Sequence, residues 1–92
     1  MTLFWNSDTV VRYAEAAHNL GSLHLGRGEK AEAARAWQLA SNLNYAPSMV
    51  NLAKLQLEEN IDSDIDVEGL IEKASALGMP QAKALLEEES SS

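Results

Sequence analysis

The two histidines, His18 and His24, are the residues of this chain whose type best suits acid–base or metal chemistry. Histidine titrates near neutral pH and is a common metal ligand. Six positions separate the two residues, which places them about 120° apart around a helix, so they do not converge on one ion. The chain contains no cysteine that could complete a metal site or form a disulfide. We therefore expect His24 to pack half-buried, and His18 either to pack in the same way or to face a groove.

Two short segments resemble ligand-binding loops, but each lacks residues that such a loop requires. The run Asp62-Ser63-Asp64-Ile65-Asp66 has the acidic spacing of a calcium loop, whereas its sixth and twelfth positions hold Val67 and Lys73 instead of glycine and glutamate. The segment Gly26-Arg27-Gly28 has neither the preceding strand nor the further glycines of a phosphate loop. We expect the first run to cap a helix and the second to form a turn between helices.

No catalytic arrangement is visible elsewhere in the sequence. No serine or threonine stands in a recognisable triad context, and the acidic residues are spread over helix surfaces, as solvated charges usually are. We therefore predict that the protein is not an enzyme and that it binds neither a cofactor nor a metal.

The acidic charge balance limits the classes of partner. The 92-residue chain has a formal net charge of −7, whereas nucleic acids and anionic membrane surfaces attract basic patches. We predict neither nucleic-acid nor membrane binding, and the charge serves either solubility alone or a basic partner. No apolar run approaches the ~20 residues of a membrane span. The first residues lack the regions of a signal peptide, so the expected location is the cytoplasm if Met1 is the natural start.

The spacing of apolar residues predicts five helices and no strand. The first helix is expected to begin near Ser7 or Asp8, either of which can cap its free amides, and to end at Gly26-Arg27-Gly28. Its predicted inward stripe consists of Val10, Tyr13, Ala14, Ala17, Leu20, Gly21 and His24.

The second and third helices are predicted over residues 29–43 and 47–58. Asn44 is expected to end the second helix in the left-handed conformation, and Pro47 to stand in the first turn of the third. The predicted buried positions of the two helices are Ala33, Ala36, Trp37, Ala40, Leu52 and Leu55, with Met49 as a further candidate.

The fourth helix is predicted to be capped by Ser63 or Asp64 and to end at Leu77, with Gly78 as a left-handed terminator. Pro80 is expected to begin the fifth helix, which reaches about Glu88.

Part of the sequence is repeated. Residues 40–52 are echoed by residues 74–86 at a shift of 34, and residues 19–25 are echoed by residues 51–57 at a shift of 32. Self-similarity at this period is typical of helical repeat arrays, in which each unit buries its apolar face against the next. Such arrays usually bind other proteins.

The repeated segments resemble Sel1-like repeats, which are relatives of the tetratricopeptide repeat. The segments that carry this resemblance are Ala40-Ser41, Asn44, Ala46 to Ser48 and Asn51-Leu52-Ala53. Within the first helix pair, Ala33, Trp37 and Ala40 match the small, aromatic and small positions of the tetratricopeptide repeat. The resemblance implies an all-α fold in which antiparallel helix pairs stack as a short right-handed superhelix of about two and a half repeats and five helices.

The expected organisation is a single repeat domain over residues 1–92. Its predicted parts are an N-terminal cap segment at residues 1–6, a first helix pair at 7–43, a second pair at 47–77, a terminal helix at 80–88 and a flexible tail at 89–92. Two roles remain open for Leu3, Phe4 and Trp5. They either fold back over the first helix pair or form an oligomer contact.

The resemblance also implies a function, because the first helix of each pair in such repeats lines a concave surface. We expect a non-enzymatic adaptor or scaffold that binds a peptide or helix of a protein partner there. The residues that the resemblance places near this surface are Glu15, His18, Asn19, Ser22, Val50, Lys54 and Leu57. The alternative is a self-assembling structural protein, a homo-oligomer that uses Leu3, Phe4, Trp5 and the open edges of the repeats.

Overall fold

The computed structural model describes residues 7–82 and 84–85, and all regular structure within these residues is α-helical. The helices are α1 (Ser7–Gly26), α2 (Lys30–Asn42), α3 (Ala46–Glu59) and α4 (Val67–Ala76), followed by α5, which includes residues 80–82 and 84–85. The predicted all-α class and the five helices are confirmed. Consecutive helices pack on each other, α1 on α2, α2 on α3 and α3 on α4.

The two repeated segments end their helices in the same way. After α2, the Tyr45 amide donates to Ala40 O at 3.1 Å, the Asn44 amide donates to Ser41 O at 2.9 Å, and Asn44 has φ of 66°. After α4, Met79 donates to Ala74 O at 3.1 Å, Gly78 donates to Ser75 O at 3.0 Å, and Gly78 has φ of 93°. Both are Schellman motifs, in which a left-handed residue lets the chain satisfy the last carbonyls of a helix. The sequence echo at a shift of 34 residues therefore encodes a shared helix terminator.

The start of α4 differs from the prediction. Asp66 is the N-cap, and its Oδ1 accepts a hydrogen bond from the Gly69 amide at 3.1 Å, whereas Ser63 and Asp64 lie in the preceding turn. The reason is tertiary, because Ile61 and Ile65 both pack on the α2–α3 core and the helix begins only after the second of them. α4 then ends at Ala76, one residue before the predicted Leu77.

The core has two clusters that meet at Leu70. The first joins α2 to α3 through Ala33, Ala34, Trp37, Leu52 and Leu55. The second joins α3, α4 and α5 through Met49, Val50, Ala53, Ile71, Ala74 and Ala82. Many of these residues are alanines, which let helix axes approach closely. The buried positions predicted for α2 and α3 are all confirmed, Met49 included.

The predicted inward stripe of α1 is only partly correct. Ala14, Ala17 and Gly21 are buried, but Tyr13 and Leu20 are each 49% exposed. The face of α1 that packs on α2 is therefore narrow and made of small residues. Bulky side chains at the edge of the predicted stripe remain in solvent, because no described element covers that flank.

Candidate functional site

An open pocket of about 330 Å³ lies between the first three helices. Such a volume falls at the lower end of the range for ligand sites. Its walls come from the C-terminal half of α1, the start and middle of α2, and the middle and C-terminal end of α3. The lining residues are Ser22, Leu25, Lys30, Trp37, Asn51, Lys54, Leu55, Glu58 and Glu59.

Trp37 is the best-fixed side chain of this pocket. It is 2% exposed, and its indole Nε1 donates a hydrogen bond to the His18 carbonyl oxygen at 3.0 Å. The ring lies directly against Gly21, where a Cβ would overlap the indole. A glycine on α1 thus allows the tryptophan of α2 to reach the α1 backbone. This contact sets the distance between α1 and α2 at the base of the pocket.

The pocket carries charges of both signs. Lys30 on α2 and Glu59 on α3 form an ion pair with 2.7 Å between Nζ and Oε1, which ties these two helices at one rim. Within the described part of the chain, Lys54 and Glu58 form no ion pair, and both are exposed on consecutive turns of α3. One ammonium and one carboxylate are therefore available to an incoming ligand.

His18 connects α1 to α3 next to the pocket. Its Nδ1 shares a hydrogen bond of 2.7 Å with Ser48 Oγ, and its ring lies 5.2 Å from the ring of Tyr45 and 6.3 Å from that of Trp37. Burial lowers the pKa of His18 from its ordinary value, so the neutral ring is favoured.

This serine–histidine pair does not resemble a catalytic one. Ser48 is fully buried, so its hydroxyl cannot reach a substrate. Among the described residues, no carboxylate bonds to His18 to orient its ring, as the third member of a triad does. The hydrogen bond instead satisfies a buried hydroxyl and holds the two helices in register.

The structure places the seven residues expected at the concave surface in different surroundings. Ser22 and Lys54 line the pocket, and Glu15 and Asn19 are exposed on α1. Leu57 is 42% exposed and faces a different depression, which it lines together with the loop before α4. Val50 is only 4% exposed and belongs to the α3–α4 cluster, so its side chain is not on an open surface.

The pocket residues that sequence reasoning missed follow a simple pattern. On α3, Asn51 and Glu58 were missed. They stand three and four positions from Lys54, which was predicted, and this spacing defines one helix face. The face of α3 that the resemblance predicted contains Val50 and Leu57, and it is rotated by about one residue from the face that lines the pocket. The predicted oligomer contact at Leu3, Phe4 and Trp5 lies outside the residues that the structure describes.

The remaining candidate residues have structural partners. His24 is half-buried as expected, and its Nδ1 lies 2.9 Å from Glu29 Oε1 at the turn between α1 and α2. Asp62 Oδ1 accepts from the Asp64 amide at 3.0 Å, and Asp66 caps α4. Within residues 7–82 and 84–85, no three His, Cys, Asp or Glu side chains are grouped as metal ligands.

Comparisons with known proteins do not identify a relative of this chain. In the described residues, no helix combines the length and the apolar character that a membrane span needs. No family model matches the chain, and neither the curated proteins nor the solved structures contain a significant match.

Proposed function

We propose that this protein is a non-enzymatic interaction module that binds a peptide or helix of a protein partner in the pocket that α1, α2 and α3 line. The observation that carries the proposal is the pocket itself, because two helices that stand at equivalent repeat positions line it. The duplicated Schellman motifs support the related proposal that the helix pairs stack as a short right-handed superhelix of the Sel1-like or tetratricopeptide kind. The cytoplasmic location remains a prediction.

The lining of the pocket suits a short peptide segment. Leu25 and Leu55 offer apolar walls, Asn51 can donate and accept hydrogen bonds with a peptide backbone, and Lys54 and Glu58 offer opposite charges. The partner that fits has an apolar anchor residue with an acidic residue on one side and a basic residue on the other. The net charge of −7 would speed its approach if the rest of the partner is basic.

The test uses peptides selected from a random displayed library on the immobilised 92-residue chain. Their affinities are then measured for the wild type, for Lys54→Ala and for Lys73→Ala. Lys73 is an exposed lysine of α4 that lies outside this pocket, so it controls for the loss of one positive charge. We expect Lys54→Ala to weaken binding about fivefold, as the loss of one exposed ion pair does, and Lys73→Ala to leave it unchanged.

Circular dichroism of the variants checks that their folds are intact. Amide chemical shifts of the wild type on peptide addition should change at residues 22–25 and 51–58. Equal affinity for both variants, together with shift changes confined to other surfaces, would remove the pocket as the binding site.

A further inference from the structure

One flank of α1 exposes an apolar stripe that lies away from the pocket. The stripe consists of Tyr13, Ala16, Leu20 and Leu23, and its three large members are 49%, 49% and 58% exposed. Their spacing of three, four and three residues is that of a seam at which one helix packs along another. Exposed apolar residues that align in this way mark an interaction surface more often than scattered ones do.

The internal repeat allows the stripe to be compared with the equivalent residues of the second copy. At the shift of 32 residues, Tyr13, Ala16, Leu20 and Leu23 correspond to Tyr45, Ser48, Leu52 and Leu55. In the second copy these positions are covered. Ser48 and Leu52 are 0% exposed, Leu55 is 5% exposed and Tyr45 is half-buried. The preceding helices provide the cover, because Leu52 and Leu55 pack on α2 and Ser48 bonds to His18 of α1. The α1 stripe is therefore the same repeat surface without its preceding helices.

We propose that a second copy of this chain covers the stripe, in a homodimer in which the two α1 helices pack antiparallel. This surface lies outside the pocket to which the proposed function assigns partner binding, so the two proposals stand independently.

The segment Leu3-Phe4-Trp5 is too short to cover the whole stripe. Leu3 lies four positions before Ser7, so it reaches at most about 14 Å along the helix in an extended chain. Ala16 lies about 14 Å from Ser7 along α1, whereas Leu20 and Leu23 lie about 20 and 24 Å away. In an extended chain the backbone of Leu3, Phe4 and Trp5 can thus reach no further than Ala16, so this segment does not extend to Leu20 and Leu23.

The stripe is complementary to itself. In an antiparallel pair, a two-fold axis level with His18 places Tyr13 opposite Leu23 of the second copy and Ala16 opposite Leu20 of the second copy. Each leucine near the axis then meets an alanine, so large side chains fill the space that small ones leave. Symmetric contacts of this kind close at two copies and do not propagate.

The charge distribution also favours contact between two copies through the α1 stripe. α1 carries Asp8 and Glu15 against Arg12, so it contributes little to the net charge of −7. The acidic residues concentrate in residues 58–72, where seven Asp or Glu occur without any Lys or Arg. A dimer formed through α1 keeps these acidic segments away from its centre, which reduces the repulsion between the two copies.

Sedimentation equilibrium of the full 92-residue chain over the micromolar range tests the proposal. The wild type should have twice its 10.0 kDa mass at high concentration. Leu20→Glu should sediment as a monomer, whereas Leu57→Glu, which alters a leucine of α3 that is 42% exposed, should remain a dimer. A wild type that stays monomeric throughout overturns the proposal, and it does so even if residues 1–6 protect the stripe. A dimer that Leu20→Glu does not disrupt also overturns it.

Disulfide trapping tests the antiparallel arrangement without a charged substitution. The chain has no cysteine, so single replacements are unambiguous reporters. A mixture of Ala16→Cys and Leu20→Cys chains should form the mixed disulfide faster than either chain forms its own, and Leu57→Cys should remain reduced. If the like pairs form first, the helices do not pair antiparallel at this axis, and the proposed interface is wrong.

Discussion

Replacing Gly21 by alanine is the most direct test of how α1 and α2 are held together. A Cβ at this position would overlap Nε1 of Trp37 and would lie 2.5 Å from Cδ1 and 2.9 Å from Cε2. The indole is 2% exposed and hydrogen-bonded to His18 O, so it cannot rotate away without opening the core. The substitution therefore forces either the ring or the helix to move.

The magnitude follows from three opposing contributions. Alanine is a better helix former than glycine by about 1 kcal/mol, which would stabilise α1. Overpacking a close-packed contact costs about 1–3 kcal/mol. Loss of the indole hydrogen bond costs about 1 kcal/mol more. We expect Gly21→Ala to lower the free energy of unfolding by about 1–3 kcal/mol, measured by urea denaturation followed by circular dichroism.

Two further variants isolate the cause. Gly26→Ala makes the same substitution in the same helix where a Cβ meets nothing within 4 Å, so it should be neutral or slightly stabilising. The second repeat suggests the rescue, because Ala53 and Ile71 occupy the positions equivalent to Gly21 and Trp37 and both are buried there. Gly21→Ala should therefore cost less in a Trp37→Ile background than in the wild type. If Gly21→Ala is as stable as Gly26→Ala, the close packing of the tryptophan on the glycine is not what holds these helices.

Two other predictions concern the α4 cap and the pH dependence of stability. Asp66→Ala removes the side-chain bond to the Gly69 amide and should cost about 1 kcal/mol in urea denaturation, whereas Asp64→Ala, in the preceding turn, should change stability by less than about 0.5 kcal/mol. Equal effects would reject Asp66 as the cap. Burial lowers the pKa of folded His18 below 6.5, so the unfolded chain binds the extra proton and stability should fall as the pH decreases through 6.5 towards the folded pKa. His18→Gln should reduce this loss in parallel denaturation series at pH 7.5 and 5.5, and an unchanged slope would show that other groups cause it.

The helix ends illustrate what the sequence can and cannot determine. Asn44 and Gly78 were predictable as left-handed terminators, because the preference depends on one residue and its immediate neighbours. The cap of α4 was not, because the choice among Ser63, Asp64 and Asp66 depends on where Ile65 meets the α2–α3 core. Local chemistry offers several caps, and tertiary packing selects one of them.

The same limit explains the errors on helix faces. Apolar spacing identified the arc of α1 that contains Ala14, Ala17 and Leu20, but the width of the covered part depends on the helix that packs against it. The covered strip of α1 is narrow and consists of the small residues Ala14, Ala17 and Gly21, so Leu20 stays outside it. On α3, a rotation of one residue decides whether Val50 or Asn51 lines the pocket. Periodicity fixes the helix, but it fixes the rotation of that helix only to within about one residue.

The two proposed surfaces of α1 are compatible, so one molecule could use both at the same time. Ser22 and Leu25 line the pocket, whereas Leu20 and Leu23 belong to the exposed stripe. Leu20 and Ser22 are two positions apart, as are Leu23 and Leu25, and two positions on a helix correspond to a rotation of about 200°. The pocket and the stripe therefore lie on nearly opposite flanks of α1. A dimer through the stripe therefore leaves both pockets open and relates them by a two-fold axis. Such a dimer would bind a partner that carries two copies of the recognised segment far more tightly than one that carries a single copy, because the second contact forms at a high effective concentration.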